Sequence, residues 1–229
     1  MVAIGRRRRG TVVVAAALML AATVSCSSAK DESSSSSGES PTPTSAAEAQ
    51  PKADFTNVTP EMFVGRTAVP NGLALAFTPP EISTDVPPND PVTPPECGPI
   101  FFGPTPTQYG SIGWQTPPSD TGTGSGYKLF LIVPAERPDI KSLVGKCSTI
   151  EHQGSTVNVA ALPLQGVPDW ATATRTTTDG ADGATIIGLF RGLYISVTFS
   201  QTPAGDLAVG DSDGLVRLFY EQVKKLEAM

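Results

Sequence analysis

The chain has 229 residues, of which 39% are hydrophobic and 17% are charged, and its formal net charge at pH 7 is −6. This length accommodates a single domain with a substantial hydrophobic core. The acidic balance argues against nucleic acid as a partner, because polyanions are bound by basic surfaces.

Residues 1–25 have the pattern of a secretory signal peptide. Arg6–Arg9 supply the positive charge, and the apolar run Thr11–Val24 is shorter than the roughly 20 residues that a membrane-spanning helix needs. The stretch that ends in Ser25-Cys26 resembles the lipobox of bacterial lipoproteins, although Thr23 stands where Leu or Val is usual. The resemblance implies cleavage before Cys26 and acylation of that cysteine. The alternative is an uncleaved signal anchor.

Lipidation of Cys26 would hold the chain on the extracytoplasmic face of the cell membrane, because the lipoprotein modification provides the two or more acyl chains that stable anchoring needs. Removal of residues 1–25, which contain four arginines and no acidic residue, would change the formal net charge from −6 to −10. Membrane attachment would then depend on the lipid and not on a basic surface.

A linker and one domain are predicted after Cys26. Residues 26–54 are rich in Ser, Pro, Thr and Ala, which predicts a disordered linker, and residues 55–229 are predicted to form a single domain. The domain contains Cys97 and Cys147, which in an exported protein predict a disulfide. Closing that loop would stabilise the fold by about 4 kcal/mol in the chain-entropy model. The alternative is two free thiols, one of them a nucleophile or metal ligand.

Five segments of the domain have the apolar or alternating pattern of β-strands: Gly126–Pro134, Ser155–Leu162, Ala171–Thr178, Ala184–Arg191 and Leu193–Gln201. Asp179–Gly183 is a turn sequence between the third and the fourth. Successive hairpins of this kind predict an antiparallel sheet.

Two helices are also predicted. Pro138–Lys146 has apolar residues at helical spacing, and so does the C-terminal segment between Leu215 and Leu226, for which Asp211 to Asp213 offer an N-cap. An amphipathic helix must cover an apolar surface, and the sheet supplies one. The predicted fold class is therefore α+β, an antiparallel sheet packed against two helices, one of them C-terminal.

The proline-rich segment 79–118 is predicted to be an ordered surface excursion, because proline donates no ladder hydrogen bond and Cys97 ties the segment to the body. Tyr109 and Trp114 in this segment, with Trp170 further along the chain, are candidates to line a groove for an apolar or sugar-like ligand. The alternative is that these aromatic residues pin the segment to the core.

No catalytic constellation is complete in the sequence. Gly210–Gly214 matches G-x-S-x-G, but no histidine follows it, and the single histidine of the chain, His152, lies upstream. One histidine and one cysteine pair do not make a zinc site, and no cofactor motif is present. The sequence therefore predicts a protein that is not an enzyme and that holds neither a metal nor a cofactor.

The order of these segments resembles a known type of domain. A proline-rich segment with a cysteine precedes "GYKLFLIVP", and "KCSTIEHQGSTVNVAALPLQGVPDWATATR", "GLFRGLYISVTFS" and a C-terminal helix follow. Over residues 60–229 this looks like the small cell-wall lipoproteins of mycobacteria and related actinobacteria whose domain is similar to the extracellular sensor domain of PknH-type Ser/Thr kinases. The resemblance implies a twisted antiparallel sheet on two helices, with a cleft for an unidentified ligand. Domains of this type often have two disulfides, and this domain has cysteines for one.

Together these features predict a lipid-anchored, ligand-binding domain at the cell envelope, with a small apolar or glycan ligand. The alternative is a protein–protein adaptor of the cell wall that binds a cell-envelope protein through segment 79–118. A flat, solvent-facing surface without an enclosed pocket would favour the adaptor.

Overall fold

The computed structural model describes residues 52–70, 72, 74–85, 90–116, 124–202 and 209–229. All of them belong to one compact unit, Ala49–Met229. The predicted signal peptide (1–25), the predicted lipidation site Cys26 and most of the predicted linker lie outside the described residues.

One antiparallel sheet dominates this unit. Its nine strands among the described residues are β1 (Ala76–Ser83), β2 (Val92–Thr93), β3 (Pro106–Gln115), β4 (Gly124–Pro134), β5 (Thr149–His152), β6 (Ser155–Ala161), β7 (Ala171–Thr177), β8 (Asp182–Phe190) and β9 (Leu193–Thr202). They lie in the order β1-β3-β4-β9-β8-β7-β6-β5-β2. The predicted antiparallel sheet is confirmed, and the five predicted strands are β4 and β6 to β9.

Three α-helices occur in the described part of the chain: α1 (Gly98–Phe101), α2 (Ile140–Val144) and α3 (Val209–Glu227). The two predicted helices are α2 and α3, so the predicted count of two misses the four-residue α1. Asp139 caps α2, since its carboxylate accepts from the backbone N–H of Ser142 at 3.0 Å. Asp211 and Asp213 lie inside α3 and not at its N-cap, because this helix begins at Val209.

α3 covers one side of the sheet, here called the helix face. Strand residues alternate between the two sides, so Leu129 and Leu131 of β4 and Ile195 and Val197 of β9 all point to this face and are 0% exposed. Leu218 of α3 is likewise 0% exposed in the same cluster. Burying each side chain of this size stabilises the fold by about 1.5–3 kcal/mol, so α3 closes a dry core.

Residues 58–69 complete the cover of the helix face. Gln222 of α3, which is 0% exposed, connects them to the helix: its amide donates to the carbonyl of Met62 at 2.7 Å and accepts from the N–H of Val64 at 3.2 Å. Both hydrogen-bonding ends of this buried amide are therefore satisfied, as burial of a polar group requires.

Residues just before the predicted domain boundary at residue 55 contact the turn between β8 and β9. The guanidinium of Arg191 donates twice to the carbonyl of Ala53, at 2.9 and 3.0 Å, and lies 4.2 Å from the ring centroid of Phe55. Residues 53 and 54, assigned to the linker from their composition, are thus bound to the turn between β8 and β9.

The proline-rich segment is not a surface excursion, and that prediction is corrected. β3 and most of β1 belong to residues 79–118, and the two strands pair antiparallel within the sheet. Pro79 and Pro80 are tolerated because they fall at a register shift in β1, which is an edge strand. An edge strand pairs on one side, so the missing N–H groups remove few ladder bonds.

Candidate functional site

A pocket of about 340 Å³ lies on the other side of the sheet, here called the pocket face. Side chains of β3, β4, β8 and β9 form its floor, and α1 with the residues that follow it forms its roof. The apolar members of the floor are Tyr109, Phe130, Ile132 and Ile187, and those of the roof are Ile100, Phe101 and Phe102. The volume falls within the usual range of small-molecule sites, roughly 300–1,000 Å³.

Strand register brings the floor together. Tyr109 of β3 lies opposite Ile132 of β4, and Phe130 of β4 lies opposite Ser196 of β9. Ser196 in turn lies opposite Ile187 of β8. Directly opposed residues on one face are about 5 Å apart, so these strands present a continuous surface although their residues lie between positions 109 and 196 of the sequence.

A disulfide holds the roof in place. Cys97, directly before α1, is bonded to Cys147, two residues before β5, with a Cα–Cα distance of 5.7 Å, which confirms the predicted pairing. Both cysteines are 1% exposed in a second apolar cluster with Ile150 and Val157. The chain then leaves α1 through Gly103 at φ +84°, a backbone conformation that favours glycine. α1 has four residues, so its position over the sheet depends on these contacts and not on its own stability.

His152 supports the roof from behind. Its ring centroid lies 4.9 Å from that of Phe101 and 5.3 Å from that of Phe102. Nε2 is buried without a hydrogen-bond partner among the described residues, and the carboxylate of Asp90 is 3.8 Å away. Because Cys147 is in the disulfide, the alternative of a free thiol paired with His152 is ruled out, and the histidine has a packing position.

Three hydroxyl groups supply the polar part of the floor. The Oγ1 atoms of Thr185 and Thr198 are 3.1 Å apart, so one donates to the other and the accepting hydroxyl keeps its own proton for a ligand. Ser196, 8% exposed, adds the third hydroxyl. Among the described residues that line the pocket none is charged. An ionised ligand would lose its hydration there without a counter-charge, so the pocket suits a neutral ligand.

The three predicted ligand-binding aromatics have three different positions. Tyr109 lines the pocket as predicted. Trp170 is 41% exposed and lines a separate cleft next to α2. The structure therefore does not assemble the single groove of Tyr109, Trp114 and Trp170 that the sequence suggested.

The prediction that Trp114 lines a ligand groove is corrected, because Trp114 is a core residue. It is 0% exposed on the helix face, its ring centroid lies 5.4 Å from that of Phe77, and its indole N–H donates to the carbonyl of Arg66 at 2.8 Å. Since residues 106–115 form a strand, residues five positions apart point to opposite sides. Trp114 therefore lies across the sheet from Tyr109.

Sequence reasoning missed the hydroxyl residues of the floor. The signal was present in "LYISVTFS": Leu193, Ile195 and Val197 form the predicted apolar side, and the residues between them, Tyr194, Ser196 and Thr198, form the other. Ser196 and Tyr194 are both buried, so protein covers both sides of this central strand and its polar side is not exposed to bulk water.

Two mycobacterial proteins are among the solved structures that are similar to this chain. The extracellular domain of PknH from Mycobacterium tuberculosis matches with a TM-score of 0.48 and 11% identity, over 73% of this chain and 98% of that one. An uncharacterized protein of Mycobacterium smegmatis, described as an Rv0999 ortholog, matches with a TM-score of 0.39 and 13% identity, over 66% and 87%. No family model and no curated protein matches this chain. One of the two is a PknH extracellular domain, the type of domain that the sequence resembles, and neither match assigns a ligand or an activity to this chain.

Within the described residues, no helix is both long enough and apolar enough to span a membrane.

Proposed function

We propose that this domain is a sensor-like module that binds a neutral, largely apolar small molecule between α1 and the pocket face. The observation that carries the proposal is the preformed pocket itself, about 340 Å³, with an aromatic roof, the hydroxyls of two threonines and a serine beside that of Tyr109, and no charge among its described lining residues. A few polar groups that orient a ligand within an otherwise apolar cavity are typical of small-molecule sites.

The floor supports selective binding because it is rigid. It consists of four adjacent strands whose opposite side is the dry core under α3. The roof is a short segment fixed by one disulfide and by aromatic contacts to His152. A rigid floor under a lightly held roof lets a ligand enter by displacement of a few side chains, without opening of the core.

The proposed location is the extracytoplasmic face of the cell membrane, with a lipid anchor on Cys26. The support is the signal-like sequence of residues 1–25 and the buried disulfide, since disulfides persist in oxidising compartments. The adaptor role of segment 79–118 remains a prediction from the sequence, and the incorporation of β1 and β3 into the sheet reduces the surface available for it.

The test uses Nile red, a neutral apolar dye, with the oxidised full-length chain and two matched variants. Ser196→Leu places a larger side chain in the pocket floor. Ser200→Leu makes the same change four residues further along β9, on the same side of the sheet but at an exposed position outside the pocket lining.

We expect saturable Nile red binding with a blue-shifted emission in the wild-type chain and in Ser200→Leu. Ser196→Leu should bind at least about tenfold more weakly, which corresponds to about 1.4 kcal/mol. Equal binding by all three chains would contradict the proposal, because the dye would then bind elsewhere.

A further inference from the structure

Two exposed aromatic side chains lie on the side of the domain that α3 covers. Trp170 is 41% exposed and Tyr220 is 38% exposed. Together with the partly buried Phe190 and Val216 they form what is here called the aromatic patch. Exposed apolar patches on a folded domain mark sites of protein or membrane interaction. The proposed function uses none of these residues.

The indole of Trp170 is fixed on the helix face. A Cβ built on Gly188 would lie 2.7 Å from its six-membered ring, and Gly188 points to the helix face because it lies opposite Ile195 of β9. The ring centroids of Phe219 and Phe190 are 5.5 and 5.6 Å from that of Trp170. The indole is therefore held against β8 and α3, and its remaining surface is open to solvent.

Tyr220 borders the same surface. A Cβ built on Gly166 would lie 3.5 Å from the side chain of Val216 and 3.8 Å from that of Tyr220, so the segment that leads to Trp170 runs along α3 at these residues. Phe219, which packs against Trp170, precedes Tyr220 in the helix. The two exposed aromatics therefore belong to one surface and not to two separate ones.

The chain enters the domain next to this surface. The guanidinium of Arg191 donates to the carbonyl of Ala53 and, at 3.0 Å, to the carbonyl of Leu226 near the end of α3. Phe190, directly before this arginine, contacts Trp170. A short run of contacts thus connects the aromatic patch to the point at which the predicted linker joins the domain.

The predicted linker keeps the domain close to the membrane. Cys26, the predicted lipidation site, lies 26 residues before Lys52, the first described residue. A flexible chain of this length has a root-mean-square span of about 25–30 Å. Such a tether gives an effective concentration on the order of millimolar, so a surface with weak affinity for the membrane would still be docked on it.

The side chains of the patch suit lipid headgroups. Tryptophan and tyrosine concentrate at membrane–water interfaces, because their amphipathic rings lie at the headgroup level. Arg217 and Lys224 are exposed three residues before and four residues after Tyr220, so they lie on its side of α3, where their cations can reach lipid phosphates. Glu221 pairs with Lys224 at 3.5 Å, so the attraction depends mainly on the aromatic rings.

We infer that the aromatic patch docks on the phospholipid headgroup layer of the membrane to which the N-terminus is tethered. The inference rests on the proposed membrane location and adds an orientation to it. Docking by this patch turns the helix face toward the bilayer. The pocket lies on the other side of the sheet, so it opens away from the membrane.

The test uses the two tryptophans of the chain as reporters, of which Trp114 is 0% exposed in the core. The full-length chain is reconstituted into vesicles of equal parts phosphatidylcholine and phosphatidylglycerol, with or without bromine on the acyl chains. Bromine quenches the emission of an indole that reaches the bilayer. The readout is the same whether acylated Cys26 or an uncleaved signal anchor tethers the chain.

Three variants separate docking from tethering. Trp170→Phe removes the exposed reporter and keeps an aromatic ring. Tyr220→Glu keeps both tryptophans and places an anionic group in the patch, so its result does not depend on the folding of Trp170→Phe. Ser200→Glu is the matched control, because it adds the same charge at an exposed position on the pocket face.

We expect brominated lipid to quench the wild type and Ser200→Glu equally, and to leave Trp170→Phe almost unquenched because Trp114 is buried. Tyr220→Glu should lower the ratio of docked to undocked domain about tenfold, since it removes an interfacial aromatic and adds an anion beside the lipid phosphates.

Flotation of the vesicles distinguishes the two ways in which the inference can fail. A chain that does not float with the vesicles would overturn both the membrane location and the docking surface. A chain that floats, but whose emission is unquenched in the wild type or equally quenched in Tyr220→Glu, would overturn the docking surface and leave the membrane location intact.

Discussion

The two sides of the sheet are built from the same strands and differ in how they are closed. On the helix face, the 19-residue α3 and the segment 58–69 bury a continuous core in which Trp114 and Leu218 are 0% exposed. On the pocket face, α1 and α2 have only four and five residues, and a cavity of about 340 Å³ lies between α1 and the strands.

The difference shows how one sheet can separate stability from binding. A long amphipathic helix covers many strand residues at once and buries their apolar surface, which stabilises the fold. Short helices are not stable alone and need local restraints, here the Cys97–Cys147 disulfide and the aromatic contacts to His152. Substitutions on the two faces should therefore have different consequences.

The largest effect is expected on the helix face. Trp114→Ala removes a fully buried ring and the hydrogen bond to the carbonyl of Arg66, and should lower the free energy of unfolding by about 3–5 kcal/mol. Urea unfolding followed by circular dichroism measures it. A loss below about 1 kcal/mol would mean that Trp114 does not lie in the core.

Removal of the disulfide should come next. Replacing Cys97 and Cys147 together by Ser should cost about 2–4 kcal/mol, because the unfolded chain regains the entropy of an open loop. It should also release the roof, so Nile red binding falls while the far-UV spectrum of the sheet is kept. Unchanged dye binding in the double variant would show that the roof is held without the disulfide.

A roof substitution should separate binding from stability. Phe102→Ala removes a half-buried ring that lines the pocket, and should cost about 1–2 kcal/mol of stability, less than a core aromatic. The dye affinity should fall by about tenfold or more, since the pocket loses one of its two roof rings. If the stability loss equalled that of Trp114→Ala, the contrast between the two faces would be wrong.

The smallest effect concerns the pH dependence of the helix face. Burial raises the pKa of Tyr127, with the nearby Asp211 adding to the shift, and the hydroxyl donates to the carbonyl of Asp211 at 3.3 Å. The folded state thus holds the phenolic proton more tightly than the unfolded state. The contribution of this raised pKa to the stability of the fold is complete below the ordinary tyrosine pKa of about 10 and is lost as the pH rises above it.

Tyr127→Phe should therefore lower the free energy of unfolding by about 0.5–1.5 kcal/mol at pH 7. Between about pH 9 and pH 11 the variant should lose less stability than the wild type, because it has no phenolic proton to release. Unfolding curves at these pH values provide the comparison. Burial also raises the pKa of Tyr194, so Tyr194→Phe is the matching variant on the pocket face and should remove a further part of the alkaline loss. If the free energy of unfolding of the wild type and of Tyr127→Phe changed equally with pH, the loss of stability at alkaline pH would not come from Tyr127.

Much of the sheet could be predicted from the sequence because its central strands carry their own signals. β9 alternates cleanly, and β4 is an apolar run, so both were predicted within two residues of their observed ends. β3 was missed because its first residue is a proline and its two glycines and several polar residues contradict strand propensity. It forms because β1 and β4 flank it in the sheet.

The pocket could be predicted only in part. Tyr109 and the disulfide were recognisable from residue type alone. The floor depends on the register of four strands, and the alternation within β3 is what sends Tyr109 and Trp114 to opposite sides. Residue composition does not reveal strand register, and it does not show that Trp170 lies apart from Tyr109. The three aromatic residues of the single predicted groove therefore occupy the pocket, the core and a second cleft.

The most direct test of the central claim is native mass spectrometry of the full-length chain purified from cell-envelope extract. A discrete neutral adduct should accompany the wild type and Ser200→Leu and be absent from Ser196→Leu. An adduct-free wild-type chain, or an adduct that persists in Ser196→Leu, would contradict a ligand held on the pocket face.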